Sequence, residues 1–242
     1  MQHPVVSREE WLAARKALLA QEKEATRMRD ALRAARQALP WVRLEKAYRF
    51  DTPAGPKTLS DLFDGRRQLI VYHFMLGPGW KAGCPGCSFL SDHVDGALVH
   101  LNHHDVTWTA VSHAPLAEIE TYKRRMGWHF PWVSAADSDF NYDFQVSFTP
   151  EQLAKGSVEY NFRQEPVPEN ASSELPGLSA FFKDADGTVF HTYSTYARGL
   201  EDLVGTLMIL DRAPLGRNES RTMDFVRRHD EYDAAPKSAR SA

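Results

Sequence analysis

The sequence predicts an α/β fold with helices on both faces of a mixed sheet. Three apolar, strand-forming segments, 69–76, 105–112 and 128–134, alternate with two segments whose apolar residues recur at helical spacing. This alternation is typical of parallel strands joined by right-handed crossovers. Two later apolar segments flank the turn 184–187, Asp-Ala-Asp-Gly. Such a turn is typical of hairpins, so these two strands are expected to be antiparallel.

A long helix is expected at the N-terminus. Ser7 and Glu10 form a capping-box pattern, and neither Gly nor Pro follows until Pro40. At about 1.5 Å per residue this helix would be roughly 45 Å long. Apolar side chains recur along it every seven residues, from Trp11 to Leu39. This stripe is expected to pack along the chain's own domain or against a second subunit in a homodimer.

Four smaller elements complete the expected order. Residues 41–50 alternate apolar and polar side chains as an edge strand does, and residues 59–65 predict a single helical turn. Near the C-terminus, helices are expected over 197–210 and over 223–232.

These elements divide the chain into regions. We expect an N-terminal helical extension, a main α/β domain with a polar, proline-containing insertion, and a disordered tail. The corresponding ranges are 1–40, 41–232 with the insertion at about 147–174, and 233–242.

Composition excludes several classes of partner. The chain has 242 residues, of which 43% are hydrophobic and 25% are charged, with a formal net charge of -3. So small a net charge gives no reason to expect a nucleic-acid or membrane surface as partner. The sequence contains neither an apolar run of about 18 residues nor the layout of a signal peptide. We therefore expect a cytoplasmic protein, in which a cysteine pair is kept reducible.

The motif that carries chemistry is Cys84-Pro-Gly-Cys87. It follows the apolar strand 69–76 and a turn rich in Gly and Pro, and helical spacing of apolar residues begins directly after it. Pro85 suits the first turn of that helix. The positive end of a helix favours an anion and lowers the pKa of a cysteine placed there. Cys84 is therefore the predicted nucleophile, and Cys87 is the predicted resolving thiol.

Two other interpretations of this motif stay open. A pair of cysteines can form half of a metal site, but the chain has no third cysteine, and histidines would have to supply the remaining ligands. The cysteines could also be inert core thiols. The Gly and Pro residues around them offer little apolar cover, and this favours redox chemistry.

Aromatic residues with polar groups are candidates for binding a substrate. Tyr193 and Arg198 lie in the segment HTYSTYARG, which is rich in polar aromatic side chains. Such side chains position small ligands in clefts, although ordinary packing explains many of them. Trp80, three residues before Gly83, and Pro85, between the two cysteines, are further candidates for binding a substrate.

The pattern resembles the thioredoxin superfamily. The shared features are a central strand, a CxxC motif that opens the next helix, a strand-helix-strand unit, and a Pro before an antiparallel hairpin and a final helix. The resemblance places Pro176 where the superfamily carries a cis-proline that faces the dithiol, and it implies that Pro176 docks the substrate. The segment TLSDLFDGRRQLIVYHF looks more like the peroxiredoxin and alkyl-hydroperoxide-reductase branch.

A closer resemblance covers nearly the whole chain. The segments LPWVRLEKAYRFD, GCPGCSF, GWHFPWVS and RRHDEY, among others, look like a bacterial family of thioredoxin-like proteins whose biochemical role is unassigned. This resemblance implies the fold and brings no substrate with it.

Departures from the related families limit what can be carried over. Peroxiredoxins bind peroxide with a Thr three residues before their reactive Cys, and Lys81 stands at that position here, with Gly77 in place of the Pro. A peroxide pocket is therefore not expected. Gly83 replaces the Trp that precedes the first Cys in thioredoxin, and the residues between the two cysteines tune the redox potential.

The sequence thus predicts a thiol–disulfide oxidoreductase whose partner is a protein or a small-molecule thiol or disulfide. No organic cofactor is expected, because the chain has no glycine-rich nucleotide or phosphate loop after a strand. One alternative is a carrier of copper or zinc that uses Cys84, Cys87 and His191. Another is a non-catalytic interaction protein that uses its long helix and aromatic surface.

Overall fold

A computed structural model describes residues 3–232. The tail 233–242, predicted to be disordered, lies outside the described residues. The chain divides into two compact units, one up to Pro40 and one from Trp41. Within the described residues, no helix is long and apolar enough to cross a membrane.

The first unit contains one helix, α1 (Arg8–Gln37), and this confirms the predicted element. Ser7 Oγ accepts a hydrogen bond from the Glu10 N–H at 3.2 Å, and the Glu10 carboxylate accepts one from the Ser7 N–H at 2.9 Å. This reciprocal capping box satisfies two N–H groups that a helix end leaves unpaired.

The second unit contains ten strands and six α-helices in its described part. The strands are β1 (Val42–Arg43), β2 (Arg49–Phe50), β3 (Lys57–Thr58), β4 (Gln68–His73), β5 (Val106–Ser112), β6 (Trp132–Ser134), β7 (Ser157–Tyr160), β8 (Arg163–Pro166), β9 (Gly177–Lys183) and β10 (Val189–Tyr196). The helices are α2 (Pro85–Ser91), α3 (Leu98–His103), α4 (Leu116–Met126), α5 (Phe140–Asp143), α6 (Pro150–Leu153) and α7 (Gly205–Leu210).

A six-stranded mixed sheet organises this unit, in the order β1-β10-β9-β4-β5-β6. Strands β4, β5 and β6 are parallel, whereas β9 runs antiparallel to both β4 and β10. This confirms the predicted mixed sheet, the parallel strand-helix-strand unit and the hairpin. The central strand followed by the CxxC helix, with the hairpin paired to its other edge, is the thioredoxin-like arrangement.

The central strand β4 separates two hydrophobic cores, because successive side chains of a strand point to opposite faces. Tyr72 belongs to the core that contains Cys87 and the apolar side chains of α2 and α4. Leu69 and Val71 belong to the core built with Phe140 and the aromatic residues around it. Both faces of the sheet are therefore covered, and this explains why β4 is an almost unbroken apolar run.

Several expected elements differ in detail. The edge strand expected over 41–50 consists of two short strands, β1 and β2, and only β1 joins the main sheet. The helix expected over 197–210 is interrupted at Val204, so that a 3₁₀ segment, Ala197–Leu203, precedes α7. The insertion contains the antiparallel hairpin β7–β8.

The prediction of a helix over 223–232 was wrong. Only His229–Glu231 forms a 3₁₀ turn there. Met223 has φ of +60°, which a right-handed helix cannot include, and the Asp224 carboxylate accepts the N–H groups of Ser220 and Arg221. This C-terminal segment is held by side-chain contacts to the rest of the unit.

Close packing beside the dithiol makes Gly83 a sensitive position. An added Cβ would lie 2.4 Å from the Phe74 ring and 2.8 Å from the Tyr122 ring. We expect Gly83→Ala to lower the free energy of unfolding by about 1–3 kcal/mol, as overpacking of a core does. Denaturant titration of the purified variants measures this change.

The matched control is Gly96→Ala, because an added Cβ at Gly96 meets no atom within 4 Å. We expect it to change stability by less than about 0.5 kcal/mol. Equal stability of the two variants would contradict the packing described for Gly83.

Candidate functional site

The two cysteines lie where β4 passes through a loop into α2. Cys84 is the residue that caps α2, and Pro85 occupies the first helical turn, where a missing N–H costs nothing. The Cys84 N–H donates to the Met75 carbonyl at 3.1 Å, and the Cys84 carbonyl accepts the Ser88 N–H at 2.9 Å. The loop is therefore tied back to the end of β4, and both thiols are free.

The environment of Cys84 favours its thiolate. A hydrogen bond from the Cys87 thiol is the largest cause that lowers the pKa of Cys84 to about 6, against burial, which raises it. The backbone N–H groups of Cys87 and Gly86, in the first turn of α2, and the charge of Arg228 act in the same lowering direction. At pH 7 the thiolate is therefore the main form of Cys84. The helix end therefore contributes as the sequence predicted, but the partner thiol contributes more.

Cys87 has the opposite character. It is only 2% exposed, and burial, together with the neighbouring Cys84, raises its pKa well above the usual value. Hydrogen bonds from the Tyr72 hydroxyl and the Met75 N–H to its sulfur oppose this rise. The pair therefore holds one proton, which stays on the inner sulfur while the outer sulfur carries the charge.

The C-terminal segment reaches the dithiol through Arg228. Its guanidinium donates two hydrogen bonds to the Gly83 carbonyl, at 2.6 and 2.9 Å, and pairs with Glu231. This clamp holds the peptide unit that leads directly into Cys84. It also places a positive charge near the sulfur that carries the negative one.

A narrow pocket of about 110 Å³ opens beside the two sulfurs. Cys84, Cys87 and Tyr72 form part of its surface, and most of its other lining residues are apolar. The apolar lining residues are Leu90, Pro176, Ala197, Leu200, Val204 and Met223. The structure therefore brings Pro176 and both cysteines together at one site.

Two of the pocket's lining residues have a left-handed backbone. Ala197 has φ of +49° and Met223 has φ of +60°. Such residues cost on the order of 1 kcal/mol each and persist where surrounding contacts hold them. The Tyr160 hydroxyl accepts the Ala197 N–H at 3.1 Å, and the Glu219 carboxylate accepts the Met223 N–H at 2.7 Å.

The insertion supplies the link between two walls of the pocket. Tyr160, the last residue of β7, donates its hydroxyl proton to the Pro176 carbonyl at 2.7 Å while it accepts the Ala197 N–H. A single buried phenol therefore sets the separation of Pro176 and Ala197. Burial raises the pKa of Tyr160, so this hydroxyl keeps its proton.

A buried carboxylate holds the segment that precedes Pro176. Glu174 is 2% exposed, and it accepts hydrogen bonds from Ser147 Oγ at 2.5 Å and from His113 Nδ1 at 3.1 Å. The His113 Nε2 atom lies 3.1 Å from the Tyr142 hydroxyl. These contacts tie the Pro176 segment to the end of β5 and to α5.

The charged group that borders the pocket is Glu201. Its side chain is 12% exposed and forms ion pairs with Arg198 at 2.7 Å and Arg217 at 3.0 Å. The hydrogen bond from Arg198 is the largest cause that lowers the pKa of Glu201. The carboxylate is thus ionised at neutral pH and neutralised locally.

The other residues predicted to bind substrate do not line this pocket. Trp80 lines a separate groove with Lys81, Glu118 and Arg125, among others. Pro85 is half-buried at the start of α2, and Tyr193 pairs with Ala180 within the sheet. Arg198 is an exposed partner of Glu201 and does not line the pocket itself. The Leu175–Pro176 bond is trans, since the described residues contain no cis peptide bond.

His191, the histidine considered for a metal site, lies away from the cysteines. Its ring packs against Phe144 and Phe181, in the core on the other face of β4. Its Nε2 atom lies 2.8 Å from Ser194 Oγ. Within residues 3–232, no group of three or more His, Cys, Asp or Glu side chains is arranged to hold a metal ion.

Sequence reasoning missed four residues of the site that are distant from the two cysteines in the sequence. Tyr72, Tyr160, Met223 and Arg228 each contact the dithiol or its pocket, and they come from a strand, the insertion and the C-terminal segment. The alternation of side chains along β4 could have indicated Tyr72, which faces the helix side. Nothing in the sequence pattern indicates the other three.

Fold and site together define a thioredoxin-fold protein with a CxxC dithiol at the carboxyl end of its central strand. Residues 1–232 match the family described as "Bacterial protein of unknown function (DUF899)", and the chain belongs to this family. The resemblance to a bacterial thioredoxin-like family of unassigned role is thereby confirmed. No curated protein matches the chain.

Similar solved structures include three peroxiredoxins. Peroxidoxin BcpB from Mycobacterium tuberculosis is 14% identical, with a TM-score of 0.44 over 71% of this chain and 97% of its own. Peroxiredoxin Q from Xanthomonas campestris (structure F4) is 13% identical, with a TM-score of 0.42 over 71% and 96%. A yeast mitochondrial 1-Cys peroxiredoxin is 14% identical, with a TM-score of 0.38 over 69% and 75%.

The lowered pKa of Cys84 can be tested by alkylation. The alkylation rate of Cys84, followed by mass spectrometry as a function of pH, should rise with a midpoint near pH 6. Cys87→Ala removes the hydrogen bond that contributes most to the lowered pKa of Cys84 and should move the midpoint upward by more than the loss of the Arg228 charge does. A midpoint that stays near pH 6 in Cys87→Ala would contradict the assigned cause.

The positive charge of Arg228 should also lower the pKa of Cys84, by less than the Cys87 hydrogen bond does. We expect Arg228→Gln to raise the midpoint of Cys84 alkylation by about 0.5, the effect of losing roughly 0.7 kcal/mol of charge stabilisation. Arg227→Gln is the matched control, because Arg227 is exposed and donates to the carbonyls of Asp224 and Val226. Equal shifts in both variants would indicate a general charge effect.

Proposed function

We propose that the protein is a thiol–disulfide oxidoreductase in which Cys84 is the nucleophile and Cys87 is the resolving thiol. The observation that carries this proposal is the arrangement of the two cysteines: Cys84 caps α2 and borders the pocket, whereas Cys87, three residues later, is only 2% exposed. The pKa values shift in opposite directions, which favours a thiolate on Cys84 and a proton on Cys87. Attack on a disulfide needs a thiolate whose pKa is near or below the ambient pH. Cys84 meets that condition and borders the pocket.

In the first step the Cys84 thiolate attacks one sulfur of a disulfide R–S–S–R. A bond forms between Cys84 Sγ and that sulfur, the S–S bond of the substrate breaks, and one R–S⁻ leaves. The product is a mixed disulfide between Cys84 and R–S. The apolar pocket beside Cys84 offers space for R.

In the second step Cys87 loses its proton and attacks Cys84 Sγ. The second R–S⁻ leaves, and a disulfide between Cys84 and Cys87 remains in the protein. The proton from Cys87 neutralises one of the two released R–S⁻ groups. Two electrons have passed from the protein to the substrate. The Cys84 charge that raised the pKa of Cys87 is gone in the mixed disulfide, while the Tyr72 and Met75 donors remain.

Trapping of the intermediate tests this proposal. The reduced protein should react with one equivalent of a disulfide to give an internal Cys84–Cys87 disulfide that dithiothreitol reverses. Cys87→Ser should accumulate a stable mixed disulfide at Cys84, whereas Cys84→Ser should form neither species. Intact-mass measurement distinguishes the three results, and a Cys84→Ser variant that reacts as the native chain does would overturn the assignment.

Tyr72 allows the second step to be tested by itself. Tyr72→Phe removes the hydroxyl that donates to the Cys87 sulfur, and a hydrogen bond to a charged group is worth about 1.5–3 kcal/mol. We expect the conversion of the mixed disulfide to the internal disulfide to slow by about 10-fold or more. Rapid-quench mass spectrometry resolves both steps, and an unchanged second step would remove Tyr72 from the mechanism.

A further inference from the structure

The pocket beside Cys84 is much smaller than a usual ligand site. Its volume is about 110 Å³, whereas pockets for drug-sized ligands measure about 300–1,000 Å³. Cys87 is only 2% exposed, whereas Cys84 is half-buried and borders the pocket, so Cys84 is the cysteine that a substrate meets first. Only a short arm attached to the reacting sulfur can enter it.

The chemistry of the walls favours an uncharged arm. Leu90, Leu200 and Val204 are among the lining residues of the pocket, and Met223 adds a flexible thioether. Apart from the Cys84 thiolate itself, Glu201 is the one charged side chain among its described lining residues, and Arg198 and Arg217 already pair with it. A charged arm would lose its water here without gaining a free partner.

The backbone next to the pocket is poorly suited to bind a polypeptide. An extended peptide substrate is held by pairing with free backbone groups of a strand or loop. The Leu175 N–H already donates to the Val146 carbonyl at 2.8 Å, and the Pro176 carbonyl already accepts the Tyr160 hydroxyl at 2.7 Å. These two groups on either side of the Leu175–Pro176 bond are thus occupied.

The residues that line the pocket are held in place by contacts from other parts of the chain. Ala197 and Met223 adopt left-handed backbone conformations, and their N–H groups are bound by Tyr160 and Glu219. Strained residues that other side chains support are frequent at ligand sites. The shape of the pocket is therefore determined by contacts from the insertion and the C-terminal segment.

We propose that the substrate is a low-molecular-weight disulfide whose sulfurs carry short, uncharged, apolar groups. This inference rests on the function proposed above. The reaction keeps the same balance: the two protein thiols are oxidised to one disulfide, and the substrate is reduced to two small apolar thiols.

A comparison of the reaction rates with three disulfides tests the proposal. The reduced full-length protein is mixed separately with diethyl disulfide, glutathione disulfide or insulin whose disulfides are intact, quenched with N-ethylmaleimide and analysed for free Cys84 and Cys87 by mass spectrometry. Each rate is divided by the rate of free dithiothreitol with the same disulfide, and this removes differences in intrinsic reactivity. We expect the normalised rate for diethyl disulfide to exceed the other two by about 10-fold or more.

Two variants test the role of the walls. Met223→Ala enlarges the pocket and should raise the rate for di-n-butyl disulfide relative to diethyl disulfide by about fivefold. Tyr160→Phe releases Pro176 and Ala197 and should lower the preference for diethyl disulfide. The matched control is Met28→Ala, at an exposed position of α1, which should leave these ratios unchanged.

The outcomes separate the two proposals. A normalised preference for glutathione disulfide or for insulin would overturn the apolar substrate class and leave thiol–disulfide exchange intact. Failure of all three disulfides to oxidise the cysteines would overturn the proposed function itself. A di-n-butyl to diethyl ratio that Met223→Ala leaves unchanged would likewise contradict the role given to this pocket.

Discussion

The hydrogen bond from the Cys87 thiol to the Cys84 sulfur is the interaction on which the rest of the site depends. It is the largest of the causes that lower the pKa of Cys84, and burial of Cys87 keeps the donated proton in place. Electrostatic interactions are stronger in such a buried environment than in water.

Parts of the chain that are distant in sequence hold this pair through contacts to the backbone. Arg228 binds the carbonyl of Gly83, and Tyr160 joins Pro176 to Ala197. Each contact fixes a peptide unit and so restricts the side chains on either side of it. The insertion and the C-terminal segment therefore do more than extend the domain, because they determine the shape of the space in front of Cys84.

Elements with strong local signals were predicted well. The capping box and the absence of breakers indicated α1, and an apolar run bounded by turn residues indicated β4. Local signals failed in the C-terminal segment, where 223–232 has a helical pattern but Met223 is left-handed. There, contacts between Arg228 and the Gly83 carbonyl replace the internal hydrogen bonds of a helix. Local pattern predicts structure only where no tertiary contact competes with it.

The sequence by itself determined the α/β order, the strand that precedes the dithiol and the position of Cys84 at the start of a helix. These features follow from periodicity and from the backbone restrictions of Gly and Pro, which act over a few residues. Only the tertiary structure decided that Cys87 is the buried proton donor, that Tyr72 approaches it, and that Pro176 and Met223 border the same pocket while His191 lies on the other face. Such relations depend on which distant segments pack together, and the spacing of residues along the chain does not predict that packing.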